Sequence, residues 1–165
     1  MASNCNYAIS AKLHQLLTTK PHTLAFAESC TAGNLSVEFT AVNGASRFLD
    51  CGFITYSNEA KTRLLGVDPT LIERFGAVSR ECAIAMAKGA LHYSCADLAL
   101  SITGIAGPSG GSQDKPVGTI YLATANRQHQ VWCKHLLLDG GRKNIRRDTV
   151  QAALELLIEY ISQLN

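Results

Sequence analysis

The apolar residues fall into two kinds of pattern, and the first is the spacing of amphipathic helices. Positions three and four residues apart predict a helix over residues 4–19, which Pro21 prevents from continuing, and a long helix over residues 142–162. The apolar positions of the first helix are Ile9, Leu13, Leu16 and Leu17, and those of the last are Val150, Ala153, Leu154, Leu157, Ile161 and Leu164. Each helix therefore has one face that must pack against the rest of the protein.

The second pattern is the short apolar run bounded by turn residues, which predicts a buried strand. Such runs occupy residues 23–27, 49–56, 97–103, 118–125 and 131–138. The last two are separated by a short polar segment, so we expect an antiparallel hairpin. After the first run, a helix is expected to begin within residues 28–33 and to continue to about Val42.

Further helices are predicted between the strands. Ser57 or Asn58 can cap a short helix over residues 59–65, a turn or short helix follows Pro69, and Ser79 can cap a helix with a small apolar face. The order is thus helix, strand, helix, strand, helices, strand, hairpin and helix. It predicts an α/β fold: a three-layer α/β/α domain whose mixed, mostly parallel sheet has about five strands.

Composition narrows the class of protein. Of the 165 residues, 47% are apolar and 17% are charged, which predicts a single core-rich domain over residues 1–165. No run approaches the roughly 18 apolar residues of a membrane span, and the first residues lack the basic and apolar regions of a secretion signal. We therefore expect a cytoplasmic protein without a membrane partner.

Charge and residue spacing argue against a nucleic-acid-binding protein, a disulfide-bonded protein and a metalloprotein. The net charge is +2 and the basic residues are scattered, apart from residues 142–147, which argues against a nucleic-acid partner. The six cysteines include no C-x-x-C pair and are expected to be free thiols. No two histidines lie three to five residues apart, so we predict no metal site.

Three loops follow predicted strands, at the edge where open α/β sheets collect functional groups. In the first, Ser29 leaves a buried strand at the expected start of a helix, whose amides can stabilise an anion. This position suits a nucleophile or a ligand's oxyanion. The alternative is structural: Ser29 or Thr31 caps the helix, and Glu28 is a solvated acid of its first turn.

The second loop holds Tyr56 and Lys61, five residues apart across a strand-to-helix turn, so both side chains can reach one point. A lysine acts as a general base only when burial or a nearby positive charge lowers its pKa from about 10.4, and a tyrosine beside it can relay a proton. The alternative is a surface lysine and a strand-end aromatic residue.

The third loop, residues 103–112, is rich in glycine, which lets backbone N–H groups approach a ligand. It matches neither the Walker A pattern nor the dinucleotide-binding pattern, and the alternative is a flexible loop. Arg142 and Arg146 lie four residues apart at the start of the last helix. Together they suit a phosphate, unless they form only a solvated basic helix end.

Several segments together resemble one family. They are residues 27–31, 52–61, 76–79, 103–108 with 110–112, and 115–119. Over residues 8 to 161 the chain is similar to the CinA C-terminal domain family, whose characterised members are nicotinamide-nucleotide amidases. These enzymes hydrolyse nicotinamide mononucleotide to nicotinate mononucleotide and ammonia.

The resemblance implies roles for individual residues. Ser29 is the implied nucleophile, and Lys61 takes its proton directly or through Tyr56. Amides near Thr103 and Gly104 are expected to hold the oxyanion. The expected substrate-binding residues are Glu28, Cys30, Thr31, Thr103, Gly104, Gly107, Gly110, Gly111, Arg142 and Arg146. No metal or redox cofactor is implied, because the nicotinamide nucleotide is the substrate.

The chain departs from the family's pattern at two positions. Ala32 stands where a glycine is usual, which adds a methyl group where backbone is expected to approach substrate, and Gly141 replaces the acid that usually precedes Arg142. Many members also carry an N-terminal domain resembling molybdopterin-binding proteins, so the implied form is the stand-alone amidase. Self-association within the family implies a homo-oligomer.

Two rival hypotheses stay open on the sequence. Cys30 is an alternative nucleophile, since a thiol at a helix N-terminus can have a lowered pKa. The rival from another class is a non-catalytic nucleotide-binding regulatory protein associated with competence, in which the three loops bind ligand without chemistry.

Overall fold

Helices and strands alternate along the chain in the predicted order. A computed structural model describes residues 3–164. The elements are α1 Ser3–Thr19, β1 Leu24–Glu28, α2 Asn34–Thr40, a 3-10 helix Ala45–Arg47, β2 Leu49–Ile54, α3 Asn58–Leu65, α4 Pro69–Phe75, α5 Arg80–His92, β3 Leu98–Gly104, β4 Thr119–Asn126, β5 Val131–Leu137 and α6 Arg142–Gln163.

The five strands form one mixed sheet in the order β2-β1-β3-β4-β5. β1 runs parallel to both of its neighbours, whereas β4 runs antiparallel to β3 and to β5. Four strands therefore share one direction and β4 alone is reversed. The predicted fold class, a three-layer α/β/α fold with a mostly parallel sheet, is confirmed, and so is the β4–β5 hairpin.

The two faces of the sheet pack against different helices because side chains alternate along each strand. Leu24 and Phe26 of β1 belong to the core shared with α1, α2 and α6. Ala25 and Ala27 belong to the second core, with α3, α4 and α5. Small residues on this second face let α5 lie close to the sheet. All five residues of β1 are buried, which accounts for the apolar run over residues 24–27 and leaves Glu28 buried at the end of the strand.

The prediction for the segment after β1 was wrong. Residues 29–33 form a turn, and α2 occupies only Asn34–Thr40 instead of reaching Val42. Ala32 and Gly33 have φ angles of 50° and 94°, in the left-handed region that a right-handed helix cannot contain. Ser29 therefore lies in a turn before the helix, five residues away from the first residue of α2.

Side-chain caps place the helices that border the carboxyl edge of the sheet. The hydroxyl of Ser57 accepts a hydrogen bond from the Ala60 N–H at 3.0 Å, and that of Ser79 accepts one from the Cys82 N–H at 3.1 Å. Both caps match the predictions. The 3-10 helix at Ala45–Arg47 was not predicted. None of the helices within residues 3–164 combines the length and apolar composition that crossing a membrane requires.

Gly89 permits the close packing of α5 against α3. A Cβ atom added there would stand 2.0 Å from the carbonyl oxygen of Leu65. Inside a helix, replacing glycine by alanine ordinarily stabilises by about 1 kcal/mol, but this contact forces α3 to move. We expect Gly89→Ala to lower the free energy of unfolding by roughly 1–3 kcal/mol, measured by urea denaturation.

The exposed neighbour Lys88 supplies the control for that experiment. Lys88→Ala should change the free energy of unfolding by no more than about 0.5 kcal/mol. A Gly89→Ala protein as stable as the parent would show that α3 and α5 separate at little cost.

Candidate active site

A cleft of about 250 Å³ opens at the carboxyl ends of the parallel strands. Ser29 follows β1, Tyr56 follows β2 and Gly104 ends β3, and these three strands are neighbours in the sheet. Their ends therefore meet at one edge, as predicted. The lining residues are Ser29, Cys30, Tyr56, Asn58, Lys61, Ala77, Val78, Thr103, Gly104, Ile105, Ala106, Gly107, Ser109, Gly110 and Arg142.

Lys61 and Ser29 are in direct contact at the base of this cleft. The Nζ atom of Lys61 donates a hydrogen bond to Ser29 Oγ at 3.2 Å and others to the main-chain oxygens of Thr55 at 3.0 Å and Tyr56 at 3.5 Å. Only 2% of Lys61 and 8% of Ser29 is exposed. The expectation of a surface lysine is therefore wrong for this position.

No carboxylate of the described residues lies within ion-pair distance of Lys61. Among residues 3–164 the one ion pair joins Arg147 to Asp148, far along the chain. Burial lowers the pKa of Lys61, and the neighbouring Cys82, Cys30 and Glu59 oppose that shift only in part. A neutral amine can accept the Ser29 proton while its own N–H groups remain on main-chain oxygens. The pair thus has the geometry of a nucleophile and its general base.

Tyr56 contacts Arg142 and not the amine. Its side chain is 59% exposed, and its hydroxyl accepts a hydrogen bond from Arg142 Nη2 at 3.0 Å. Arg142 Nη1 donates to the carbonyl oxygen of Gly107 at 2.8 Å. The guanidinium therefore bridges the loop after β2 and the glycine-rich loop across the cleft. Only the main-chain oxygen of Tyr56 contacts Lys61, so the geometry favours direct proton transfer from Ser29 to Lys61 over a relay.

Most glycines of the third loop are required by packing within the protein. A Cβ on Gly107, whose φ is 77°, would lie 2.5 Å from Val117 Cγ1, and one on Gly111 would lie 2.7 Å from the Val117 nitrogen. Gly104, Gly107 and Gly110 line the cleft, whereas Gly111 does not. The loop is therefore folded back on Val117 at these two glycines.

Thr103 lines the cleft but uses its hydroxyl within the protein. The hydroxyl donates a hydrogen bond to the Ala77 carbonyl oxygen at 2.7 Å. This bond holds residues 77 and 78, which form one wall. Those residues belong to a segment that the family resemblance included without assigning it a role. Other lining residues that sequence reasoning missed are Asn58, Ile105, Ala106 and Ser109, and no local signal distinguishes them.

Four residues expected to bind substrate lie outside the cleft: Gly111, Glu28, Thr31 and Arg146. Glu28 is completely buried, and its carboxylate accepts hydrogen bonds from main-chain N–H groups of α2. It is neither a cleft residue nor a solvated acid. Thr31 is buried too, and its carbonyl oxygen accepts a hydrogen bond from Arg146 at 2.8 Å. The two arginines are thus separated in function: Arg142 reaches the cleft, and Arg146 ties the 29–33 turn to α6.

Cys30 has the opposite of the environment that a thiolate needs. It lies in the turn before α2, not at the helix N-terminus, and 6% of it is exposed. Burial raises the pKa of its thiol to about 11, although its own main chain and Arg146 oppose the shift. At neutral pH the thiol is protonated, which favours Ser29 over Cys30 as the nucleophile.

Ala32, which stands where the family resemblance implies a glycine, has a left-handed backbone conformation. Ala32 is exposed, does not line the cleft, and has a φ of 50°. A glycine there removes the steric penalty of a left-handed residue. A glycine would thus suit the backbone conformation of this position, and the methyl group of Ala32 does not reach the cleft lining.

Within residues 3–164, no three histidine, cysteine, aspartate or glutamate side chains lie close enough to share an ion.

Comparison with known proteins places the chain in a family. The sequence profile described as "CinA C-terminal domain" matches residues 6–161. The chain belongs to the CinA C-terminal domain family. A CinA-like protein from Geobacter sulfurreducens is 49% identical over 151 residues, which is 90% of this chain and 36% of that protein. One from Endomicrobium trichonymphae is 43% identical and covers 92% of this chain. The chain thus spans just over a third of the length of these relatives.

Solved structures of CinA proteins share the fold over nearly the whole chain. The competence/damage inducible protein CihA from Agrobacterium tumefaciens is 42% identical with a TM-score of 0.92, covering 96% of both chains. The competence damage-inducible protein A from Klebsiella pneumoniae is 32% identical with a TM-score of 0.93, covering 97% of this chain and 99% of that one.

The lowered pKa of Lys61 predicts how the reactivity of Ser29 depends on pH. Only the neutral amine can take the serine proton, so the rate should rise as pH rises through the pKa of Lys61 and level off above it. Because burial lowers that pKa, the midpoint should lie below the value of about 10.4 for an exposed lysine. The measurement is the rate of Ser29 acylation by p-nitrophenyl acetate between pH 6 and 11.

Lys61→Arg is the control, because an arginine stays protonated throughout this range. Its acylation rate should be low and independent of pH. A midpoint at or above the ordinary lysine value would contradict the role of Lys61 as the base.

Proposed function

We propose that this chain hydrolyses the carboxamide of nicotinamide mononucleotide to nicotinate mononucleotide and ammonia. The observation that carries the proposal is the 3.2 Å contact between the buried Lys61 amine and Ser29 Oγ. Burying a lysine without a carboxylate partner lowers stability, and a serine beside such a base is an activated nucleophile. The amidase activity of characterised CinA family members supplies the substrate.

The proposed reaction begins with attack of Ser29 Oγ on the carboxamide carbon. Lys61 takes the serine proton and then donates it to the departing nitrogen, so ammonia leaves and an ester to Ser29 remains. Water then attacks the ester carbon with Lys61 again accepting a proton, which returns to Ser29 Oγ as the ester bond breaks. One water is consumed for each amide hydrolysed. Every step uses groups that this chain itself supplies.

The N–H group of Gly104 is the donor that we assign to the oxyanion. In an antiparallel pair, N–H groups of alternate residues point toward the partner strand. The Ile105 N–H donates to Thr119 of β4 at 2.9 Å, so that of Gly104 points away from β4. It is directed toward the end of β1, where Ser29 lies. This direction supports Gly104 as the oxyanion donor beside the nucleophile.

A non-catalytic role is the second candidate. The names of the related CinA proteins refer to competence and damage induction, and binding of a nucleotide in the cleft would need no reaction. The buried pair of Ser29 and Lys61 argues against a purely binding role, because binding alone does not require a basic amine beside a serine hydroxyl. Release of ammonia distinguishes the two.

The first experiment tests turnover and its residues. Purified protein should release ammonia and nicotinate mononucleotide in equal amounts, and EDTA should leave the rate unchanged. Ser29→Ala and Lys61→Ala should each lower kcat by roughly a thousandfold or more, and the double variant should be little worse, because the two groups act as one unit. The readout is enzymatic ammonia detection, with circular dichroism to confirm folding.

Cys30→Ala separates the serine and thiol mechanisms in the same assay. We expect a far smaller loss than for Ser29→Ala, because the thiol is protonated. An inactive Cys30→Ala beside an active Ser29→Ala would establish the thiol as the nucleophile. Absence of ammonia from every preparation would favour the binding role.

The second experiment tests phosphate recognition by Arg142. The guanidinium lies at the cleft and on a helix N-terminus, which suits a phosphate remote from the reacting amide. Arg142→Ala should lower kcat/KM for the mononucleotide by about tenfold or more, on the estimate of roughly 1.5–3 kcal/mol for a charged hydrogen bond. Nicotinamide riboside, which lacks the phosphate, should be a poorer substrate and nearly insensitive to this substitution.

Arg146→Ala is the matched control for Arg142→Ala. Because Arg146 bonds to Thr31 and not to the cleft, its loss should affect mononucleotide and riboside by the same factor. Equal losses on both substrates for Arg142→Ala would show that Arg142 does not bind phosphate.

A further inference from the structure

Glu28 is a buried acid that the proposed reaction leaves unused. It is the last residue of β1, it is completely buried, and no cationic side chain pairs with it among the described residues. A buried carboxylate is costly unless hydrogen bonds replace its water. Its position immediately before Ser29 makes the identity of those bonds important.

Four donors surround the carboxylate of Glu28. Oε2 accepts from the N–H groups of Gly33 at 3.0 Å and Leu35 at 3.1 Å. Oε1 accepts from the N–H of Ser36 at 2.9 Å and from its hydroxyl at 2.8 Å. Leu35 and Ser36 lie in the first turn of α2, where N–H groups have no partner inside the helix. Gly33, the N-cap of α2, has no side chain to serve them, so Glu28 supplies the cap.

Glu28 is thereby connected to both ends of the turn that carries Ser29. Residues 29–33 are joined to Glu28 by the peptide bond at one end and by its carboxylate at the other. Within the turn, the Ser29 N–H donates to the Ile102 oxygen and the Ala32 N–H donates to the Ser29 oxygen, both at 3.1 Å. The conformation of the 29–33 turn therefore depends on two anchors, the Ile102 oxygen of β3 at one end and the Glu28 carboxylate, which holds α2, at the other.

We propose that Glu28 is a positioning residue that keeps Ser29 Oγ within hydrogen-bond distance of Lys61. The inference rests on the proposed function, in which that 3.2 Å contact activates the serine. Glu28 does not touch substrate. It acts through the 29–33 turn, and a shift of about 1 Å in that turn is enough to lower the rate by up to a hundredfold.

The chemistry of the four bonds dictates the test variants. Glutamine has one acceptor oxygen and one NH₂ group. In Glu28→Gln the NH₂ group therefore faces N–H or O–H groups that donate to the carboxylate in the parent protein. The Ser36 hydroxyl can rotate to accept from that NH₂ group, but the Ser36 main-chain N–H cannot. Glu28→Asp keeps the charge and is one methylene shorter, so its carboxylate can reach α2 only if the turn moves. Ser36→Ala removes a single bond and leaves the three from the main chain.

The experiment measures kcat and KM for the mononucleotide together with Ser29 acylation by p-nitrophenyl acetate, detected by intact mass. Glu28→Gln and Glu28→Asp should lower kcat and the acylation rate by about 10- to 100-fold while KM stays within about threefold, because the cleft wall and Arg142 are unchanged. Ser36→Ala should lower kcat by about two- to fivefold.

A stability control separates positioning from general loss of structure. Ile161→Ala opens a cavity in the core of α6 far along the chain from the site, and its kcat should equal that of the parent. All assays are run at one temperature, at which circular dichroism shows every variant to be fully folded. If neither Glu28 variant folds, Ser36→Ala decides: a lowered kcat at constant KM supports the proposal, and an unchanged kcat overturns it.

The outcomes also separate this proposal from the proposed function. A parent protein that neither releases ammonia nor becomes acylated on Ser29 overturns the amidase mechanism, and the positioning role with it. An active parent whose Glu28→Gln variant has the same kcat and acylation rate overturns the positioning role alone.

Discussion

The buried amine of Lys61 is the constraint on which the rest of the site depends. Removing an ammonium from water is costly, and no carboxylate among the described residues lies within ion-pair distance of Lys61 to offset that cost. The amine instead donates to three oxygens, of which two belong to the main chain at the end of β2. Because the sheet holds those two in place, the third contact, to Ser29, has a defined direction. Burial lowers the pKa of Lys61, so the neutral amine that can accept a proton is more populated at a given pH than it is for an exposed lysine.

The architecture that supplies this geometry is distributed over both layers of helices. Lys61 is carried by α3, which packs against α5 at the close approach of Gly89 to Leu65. Ser29 is carried by a turn held by Glu28 and α2 on the other face of the sheet. Parallel strands β1, β2 and β3 lie between the two layers and end at one edge. The site therefore forms only when both helical layers are packed on the sheet.

Local signals in the sequence predicted much of this framework. The serine caps of α3 and α5, the apolar runs of the strands and the periodicity of α1 and α6 all depend on residues within a few positions of one another. The error at residues 29–33 has a related cause. Nothing in the sequence requires Ala32 to adopt a positive φ, since alanine ordinarily favours a helix. The chain is held in that turn by Glu28, whose hydrogen bonds reach up to eight residues ahead.

The sequence by itself determined the fold class, the family and the loops in which the reactive residues lie, because periodicity and motifs are local properties of the chain. Only the tertiary structure decided which way each charged side chain is directed. Arg142 meets Tyr56 across 86 positions, and Arg146 meets Thr31 across 115. The two arginines look equivalent at helical spacing, yet one reaches the cleft and the other holds the turn. The physical reason is that hydrogen-bond partners distant in sequence are chosen by the packing of whole elements, which no local pattern encodes.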